Sequence, residues 1–267
     1  MSRIGNCFEV LKEHKKKALV VYMTAGDPDL EWSYKAAKAA IEGGADILEV
    51  GVPFSDPVAD GPVIQEAMGR ALQSGGGLSL SLALVRRVRE VSHIPIVLFG
   101  YLNPLLHGGF KNTIQRVSDA GVDGLLVVDL PPEEAQPYRE VAAKEGMDWV
   151  SLVAPTSGPQ RTATIAAAAT GFIYLVSMTG VTGGELKALG PVKKMIDVVR
   201  ECSSLPACVG FGVRDAPSAA RLGKLADGVV VGSEIVRTLK AGMESGTGVK
   251  PVLELIRSLR AGLDSAT

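Results

Sequence analysis

The residues best suited to chemistry in this sequence are two carboxylates, Glu49 and Asp60, joined by Val-Gly-Val-Pro-Phe-Ser-Asp-Pro-Val-Ala. Carboxyl groups move protons to and from a reacting molecule when their surroundings bring the pKa toward the working pH, so such a pair suits general acid–base catalysis. The run Leu48-Glu49-Val50-Gly51-Val52 reads as a buried strand, and Pro53, Pro57, Gly61 and Pro62 break it into a shaped loop. Strand alternation puts Ile47, Glu49 and Gly51 on one face and the apolar Leu48, Val50 and Val52 on the other. A glutamate between an isoleucine and a glycine is costly in a core unless its charge is paired, neutralised or used. The prolines restrict the loop and are expected to hold Asp60 over the strand end that carries Glu49. Taken singly, a strand Glu serves as an ion-pair partner and an Asp before Gly as a turn residue. Their combination on one strand and loop argues for a site.

Two such groups need a scaffold that delivers strand ends to a common rim, and the rest of the chain alternates accordingly. Residues 2–14 suggest an amphipathic helix with Ile4, Phe8 and Leu11 on one side, a plug for one end of the fold. A strand at 18–23 precedes a helix at 30–42. The Glu49 strand precedes helices at 64–73 and 81–91. Strands at 94–101, 124–130, 149–154, 172–177, 207–212 and 228–232 follow, with helices near 113–120, from Pro131, at 160–169, 192–201, 216–222, from Ser233, and at 249–259. Near-continuous apolar strands, each followed by a helix, imply a parallel sheet covered by helices. Eight such units in 267 residues match an α/β fold of the (β/α)8 TIM barrel type. It carries an N-terminal extra helix and a short extra helix after the eighth strand. No linker or composition shift divides the chain, so residues 1–267 are expected to form a single barrel domain. An open doubly wound sheet would announce itself with G-x-G-x-x-G after the first strand, and Ala25-Gly26-Asp27-Pro28 is not that.

Composition narrows the chemistry. A formal net charge of −1 gives no electrostatic footprint for nucleic acid or an acidic membrane. Cys7, Cys202 and Cys208 lack metal-ligand spacing and fit reduced thiols. No apolar run reaches the roughly 18 residues of a membrane span, and the start has no apolar signal region. A soluble, cytoplasmic protein is expected. His14, His93 and His107 are the only histidines, and the first two precede strands, so neither a triad nor a histidine metal site is expected. The strand cores carry no lysine for a Schiff base.

In barrels of this kind the loops after the seventh and eighth strands commonly seat a phosphate. Here they read Val209-Gly210-Phe211-Gly212-Val213 and Val231-Gly232-Ser233-Glu234. Gly212 and Gly232 allow backbone N–H groups to approach an anion, and Ser233 can donate a hydroxyl hydrogen bond. The plainer alternative is that these glycines only make tight turns. The glycine-rich stretch 179–190 after the sixth strand reads either as a lid closing over a ligand or as a surface loop without function.

At this point a family resemblance is visible. The run from Leu48 to Pro62, together with Ser177-Met178-Thr179-Gly180-Val181-Thr182-Gly183, Phe211-Gly212 and Gly232-Ser233, closely resembles the tryptophan synthase alpha subunit. The likeness runs from the first strand to the eighth in the family's order, and its long first motif is highly specific. The resemblance implies a lyase of tryptophan biosynthesis that cleaves indole-3-glycerol phosphate to indole and glyceraldehyde 3-phosphate by a retro-aldol reaction. It assigns Glu49 both proton transfers and Asp60 the hydrogen bond from the indole N–H. It assigns Gly183, Gly212, Gly232 and Ser233 to the phosphate and Tyr22, Phe99, Leu126 and Tyr174 to an indole slot, with Phe211 among the substrate contacts. Thr182 would steady the closed lid near Asp60, while Met178 stands where some members carry an arginine latch. No cofactor is implied in this chain. The implied partner is a pyridoxal-phosphate beta subunit in an alpha2beta2 tetramer. It would be contacted through Pro53, Asp56, Pro57, Asn103 and Pro104. The rival readings are a stand-alone lyase releasing free indole and a non-catalytic subunit that regulates the beta enzyme.

Overall fold

The computed structural model describes residues 2–176 and 189–266. Strands β1 (Ala18–Thr24), β2 (Ile47–Gly51), β3 (Ile96–Gly100), β4 (Gly124–Val127), β5 (Asp148–Trp149), β6 (Ser151–Val153), β7 (Ile173–Leu175), β8 (Ala207–Val209) and β9 (Gly228–Val231) run parallel in one sheet. Their order is β5-β4-β3-β2-β1-β9-β8-β7-β6. β5 and β6 are the two halves of the predicted fifth strand, parted at Val150. The first half pairs with β4 and the second with β7, so one strand joins both ends of the sheet and curls it into a barrel. The eight-stranded (β/α) barrel is thus present, with its fifth strand broken where it changes neighbours.

Helices α1 (Arg3–Glu13), α2 (Leu30–Gly43), α3 (Pro62–Gln73), α4 (Leu78–Arg89), α5 (Leu102–Leu106), α6 (Phe110–Asp119), α7 (Gln136–Lys144), α8 (Pro159–Ala168), α9 (Gly190–Cys202), α10 (Ala216–Gly223), α11 (Ser233–Glu244) and α12 (Lys250–Asp264) surround the sheet or close its N-terminal end. Alternation sorts the strand side chains into two layers. Leu48, Val50, Leu98 and Leu125 face the helices in the larger apolar cluster. Val20, Ile47, Val97, Leu126 and Val230 fill the barrel interior. Helix α1 is the expected plug. Ile4, Phe8 and Leu11 join the interior cluster, and the Phe8 ring lies 5.8 Å from Phe172. Gly124 lies close beneath it, where a Cβ would fall 2.8 Å from Ile4 Cδ1.

Three helices depart most from the sequence reading. Helix α7 starts at Gln136, not at Pro131, because residues 131–134 close a turn in which Glu134 N–H donates to the Pro131 carbonyl. Helix α5 was not anticipated. Leu102 N–H, in its first turn, donates to Asp129 Oδ1 over 2.8 Å, and a residue following β4 thereby caps a helix following β3. Helix α11 opens at Ser233 as expected but runs on to Glu244, since Ile235, Val236 and Leu239 give it a buried stripe. Among the described residues no helix is long and apolar enough to cross a membrane.

Candidate active site

Because all the strands are parallel, their C-terminal ends open on one rim, and Glu49 sits just below it on β2. It lies between Tyr22 of β1 and Val97 of β3 in the strand register. The side chain shares the inward face with Ile47 and is fully buried, and among the described residues neither carboxylate oxygen has a hydrogen-bond partner. A lone charge in such surroundings is unfavourable, so burial pushes the Glu49 pKa from 4.5 up to about 8. Glu49 is therefore mainly a neutral acid at neutral pH, able to donate a proton and, once ionised, to recover one.

Asp60 reaches the same rim from the loop after β2. Gln65 of α3 braces that loop, its side-chain amide donating to the Pro57 and Asp60 carbonyls over 3.2 and 2.9 Å. The Asp60 side chain accepts a hydrogen bond from the Tyr101 hydroxyl over 2.6 Å. Burial raises its pKa and that hydrogen bond lowers it. The buried Tyr22 and Tyr174 phenols are pushed up by burial and by the charges of both Glu49 and Asp60, so the two carboxylates bear on one shared space. Nothing in the sequence pattern links Tyr101 to Asp60, which lies 41 residues away.

The side chains expected to line an indole slot gather beside these groups. Tyr22 meets Phe99 edge-on with centroids 5.3 Å apart, and Leu126 and Tyr174 belong to the interior cluster beside them. Two glycines make room for the tyrosines. A Cβ on Gly51 would fall 2.3 Å from the Tyr22 hydroxyl, and one on Gly210 would fall 2.2 Å from Tyr174 Cε1. Phe211, in the loop after β8, is half-buried and packs against the outer cluster.

The two loops expected to seat a phosphate follow β8 and β9. Gly212 adopts φ 69°, the left-handed region that favours glycine. Gly232 N-caps α11 without a side-chain bond, leaving the N–H groups of the first turn facing the rim. The Glu234 carboxylate is drawn to Arg237 over 2.6 Å, which neutralises it beside that helix end. Ser233 is half-buried at the first helical position. Thr182 and Gly183, with the rest of 177–188, lie outside the described residues.

Of the rim residues expected to meet a partner, Asp56 and Asn103 are exposed and Pro57 and Pro104 half-buried. Pro53 is a correction. It is buried directly after β2, so it presents no surface for docking. Nearby, Asp27 and Arg70 form a two-pronged ion pair at 2.7 and 2.8 Å, tying the loop after β1 to α3. No group of three or more His, Cys, Asp or Glu among the described residues could hold a metal ion.

Comparison with known proteins agrees with this geometry. The family model described as tryptophan synthase alpha chain matches residues 8–263. The tryptophan synthase alpha chain of Nitrosococcus oceani is 46% identical over 241 residues, covering 90% of this chain and 89% of that protein. The crystal structure of tryptophan synthase subunit alpha from Legionella pneumophila superposes with a TM-score of 0.92 at 37% identity, covering 99% of both chains. An open form of the tryptophan synthase of M. tuberculosis gives a TM-score of 0.89 at 34% identity, over 98% of this chain and 99% of that one.

Proposed function

This chain belongs to the tryptophan synthase alpha chain family, and we propose that Glu49 and Asp60 carry its reaction. The family's reaction is the cleavage of indole-3-glycerol phosphate to indole and glyceraldehyde 3-phosphate, a lyase step of tryptophan biosynthesis. The bond to be broken joins an indole carbon to the glycerol chain, and that carbon leaves poorly until C3 of the ring is protonated. Glu49 delivers that proton and becomes a carboxylate. As the C–C bond breaks, its electrons return to the indole ring, and the carboxylate takes the proton from the glycerol hydroxyl that becomes the aldehyde. Glu49 ends the cycle neutral. Asp60 accepts a hydrogen bond from the indole N–H, where positive charge builds after protonation.

The observation that carries this reading is a fully buried Glu49, without a hydrogen-bond partner among the described residues, whose pKa is raised to about 8. A donor with that pKa holds its proton at neutral pH and is close enough to neutrality to take it back. Tyr22, Phe99, Leu126 and Tyr174 form the indole slot. Gly212, Gly232, Ser233 and Gly183 bind the phosphate, and Thr182 belongs to the same substrate-binding set. The experiment is Glu49→Gln in the full chain. It should bind indole-3-glycerol phosphate nearly as well as the parent while turnover falls by about 10² to 10⁴; unchanged turnover would overturn the assignment.

The family works with a beta subunit. For this chain we propose an alpha2beta2 tetramer docked through Asp56, Pro57, Asn103 and Pro104, in the cytoplasm, with pyridoxal phosphate held by the beta partner and none by this chain. The whole of 1–267 is proposed to act as one barrel domain. A partner that binds the closed rim better than the open one shifts the population toward it, so lyase turnover should rise when the beta subunit is added.

A further inference from the structure

We propose that Tyr101 is a positioning residue for Asp60, its hydroxyl fixing which carboxylate oxygen is left to meet the substrate. The inference rests on the catalytic reading of Asp60 above and goes beyond it by naming what aims that group. The Tyr101 hydroxyl donates to Asp60 Oδ2 over 2.6 Å and accepts from the Ala59 N–H over 3.0 Å. One phenol thus holds both the carboxylate and the residue just before it. Among the described residues Asp60 Oδ1 has no hydrogen-bond partner, and it is the oxygen free to accept from a ring N–H.

The two residues differ in how they are held, and that difference gives the bond its direction. Asp60 lies on a loop whose neighbour Val58 is 85% exposed. Tyr101 is buried at the junction between β3 and α5, with its ring 5.0 Å from Phe54. The next residue is pinned by Asp129 through the Leu102 N–H, and Leu105 anchors the helix that follows. A rigid element therefore orients a loop carboxylate, the arrangement a precise hydrogen-bond acceptor requires.

Loss of the hydroxyl has a readable electrostatic consequence. The groups facing Asp60 are Tyr101 directly and Tyr22 and Tyr174 across the slot, with Glu49 beyond them; Asp129 bears on the Tyr101 phenol from the other side. Of these, Tyr101 favours the ionised form of Asp60 by donating to it, against burial, which disfavours it. An Asp60 without that donor binds its proton more tightly. Because the ionised form accepts the indole N–H, the acid limb of kcat/KM should move to higher pH.

The test is Tyr101→Phe in the full chain, which keeps the ring against Phe54 and removes only the hydroxyl, assayed on indole-3-glycerol phosphate across the acid limb. The expected result is a kcat/KM about tenfold to a hundredfold lower, with the limb displaced upward. In an Asp60→Asn background, Tyr101→Phe should add no further loss, since the two act through one interaction. A folded Tyr101→Phe with unchanged rate and limb, alongside an inactive Asp60→Asn, would overturn the inference and leave the role of Asp60 intact. A lower rate with an unmoved limb would reduce Tyr101 to packing and also overturn it. Full activity in Asp60→Asn would overturn both.

Discussion

The two ends of the barrel bury carboxylates in opposite ways. At the N-terminal end Asp123 accepts hydrogen bonds from the Arg3 and Arg89 guanidinium groups and from the Ile96 N–H. Asp46 likewise accepts from Arg260 and from the Leu19 N–H. Below the C-terminal rim Glu49 is more deeply buried than either, yet it has no such partner among the described residues. The first arrangement ties strands to helices and holds a charge in place. The second leaves a carboxyl neutral and ready to react, which a closely paired carboxylate could not be. One fold thus uses the same functional group for cohesion at one end and for proton transfer at the other.

The contrast is tested most strongly by removing the titratable group at the rim. Glu49 has a folded-state pKa of about 8 against 4.5 for the ordinary group. The native fold therefore takes up a proton on folding between those values. Its stability contribution is fully present below the lower one and is lost progressively as pH rises through the higher one. Glu49→Gln keeps the neutral shape at every pH. Urea unfolding should find it as stable as the parent near about pH 4 and more stable by roughly 3–5 kcal/mol near about pH 9. A parent that gains stability on Glu49 ionisation would erase the contrast.

The opposite end should respond with the opposite sign. Asp123→Ala strips two guanidinium groups and the Ile96 N–H of their acceptor, and should lower stability by on the order of 3 kcal/mol. Its folded fraction should keep kcat/KM close to that of the parent, as the residue lies far from the rim. Gly51→Ala tests the rim by volume instead of charge. The new methyl would meet the Tyr22 hydroxyl at 2.3 Å and its Cζ at 2.7 Å, and Tyr22 is itself buried. A loss of about 1–3 kcal/mol and a higher KM for indole-3-glycerol phosphate are expected, measured by thermal unfolding and steady-state kinetics.

Much of this was legible in the sequence because it depends on a period of two. Alternation placed Glu49 on one strand face with Ile47, and apolar runs followed by helices led to the barrel and its plug. What escaped were contacts between residues distant along the chain. Nothing local links Tyr101 to Asp60, or Asp129 to Leu102, since each bond spans two different strand-to-helix connections. Helix α5 covers only Leu102–Leu106, too short for a helical period to show. The break at Val150 reflects a change of neighbour around a closed sheet, which no run of apolar residues records.

The central claim is that Glu49 is a neutral acid at neutral pH, and its own titration tests that most directly. Carbon-13 NMR of side-chain carboxyl-labelled glutamate, with Glu49→Gln identifying the resonance, should show this group titrating at about 8. Titration near the ordinary 4.5 would contradict the account.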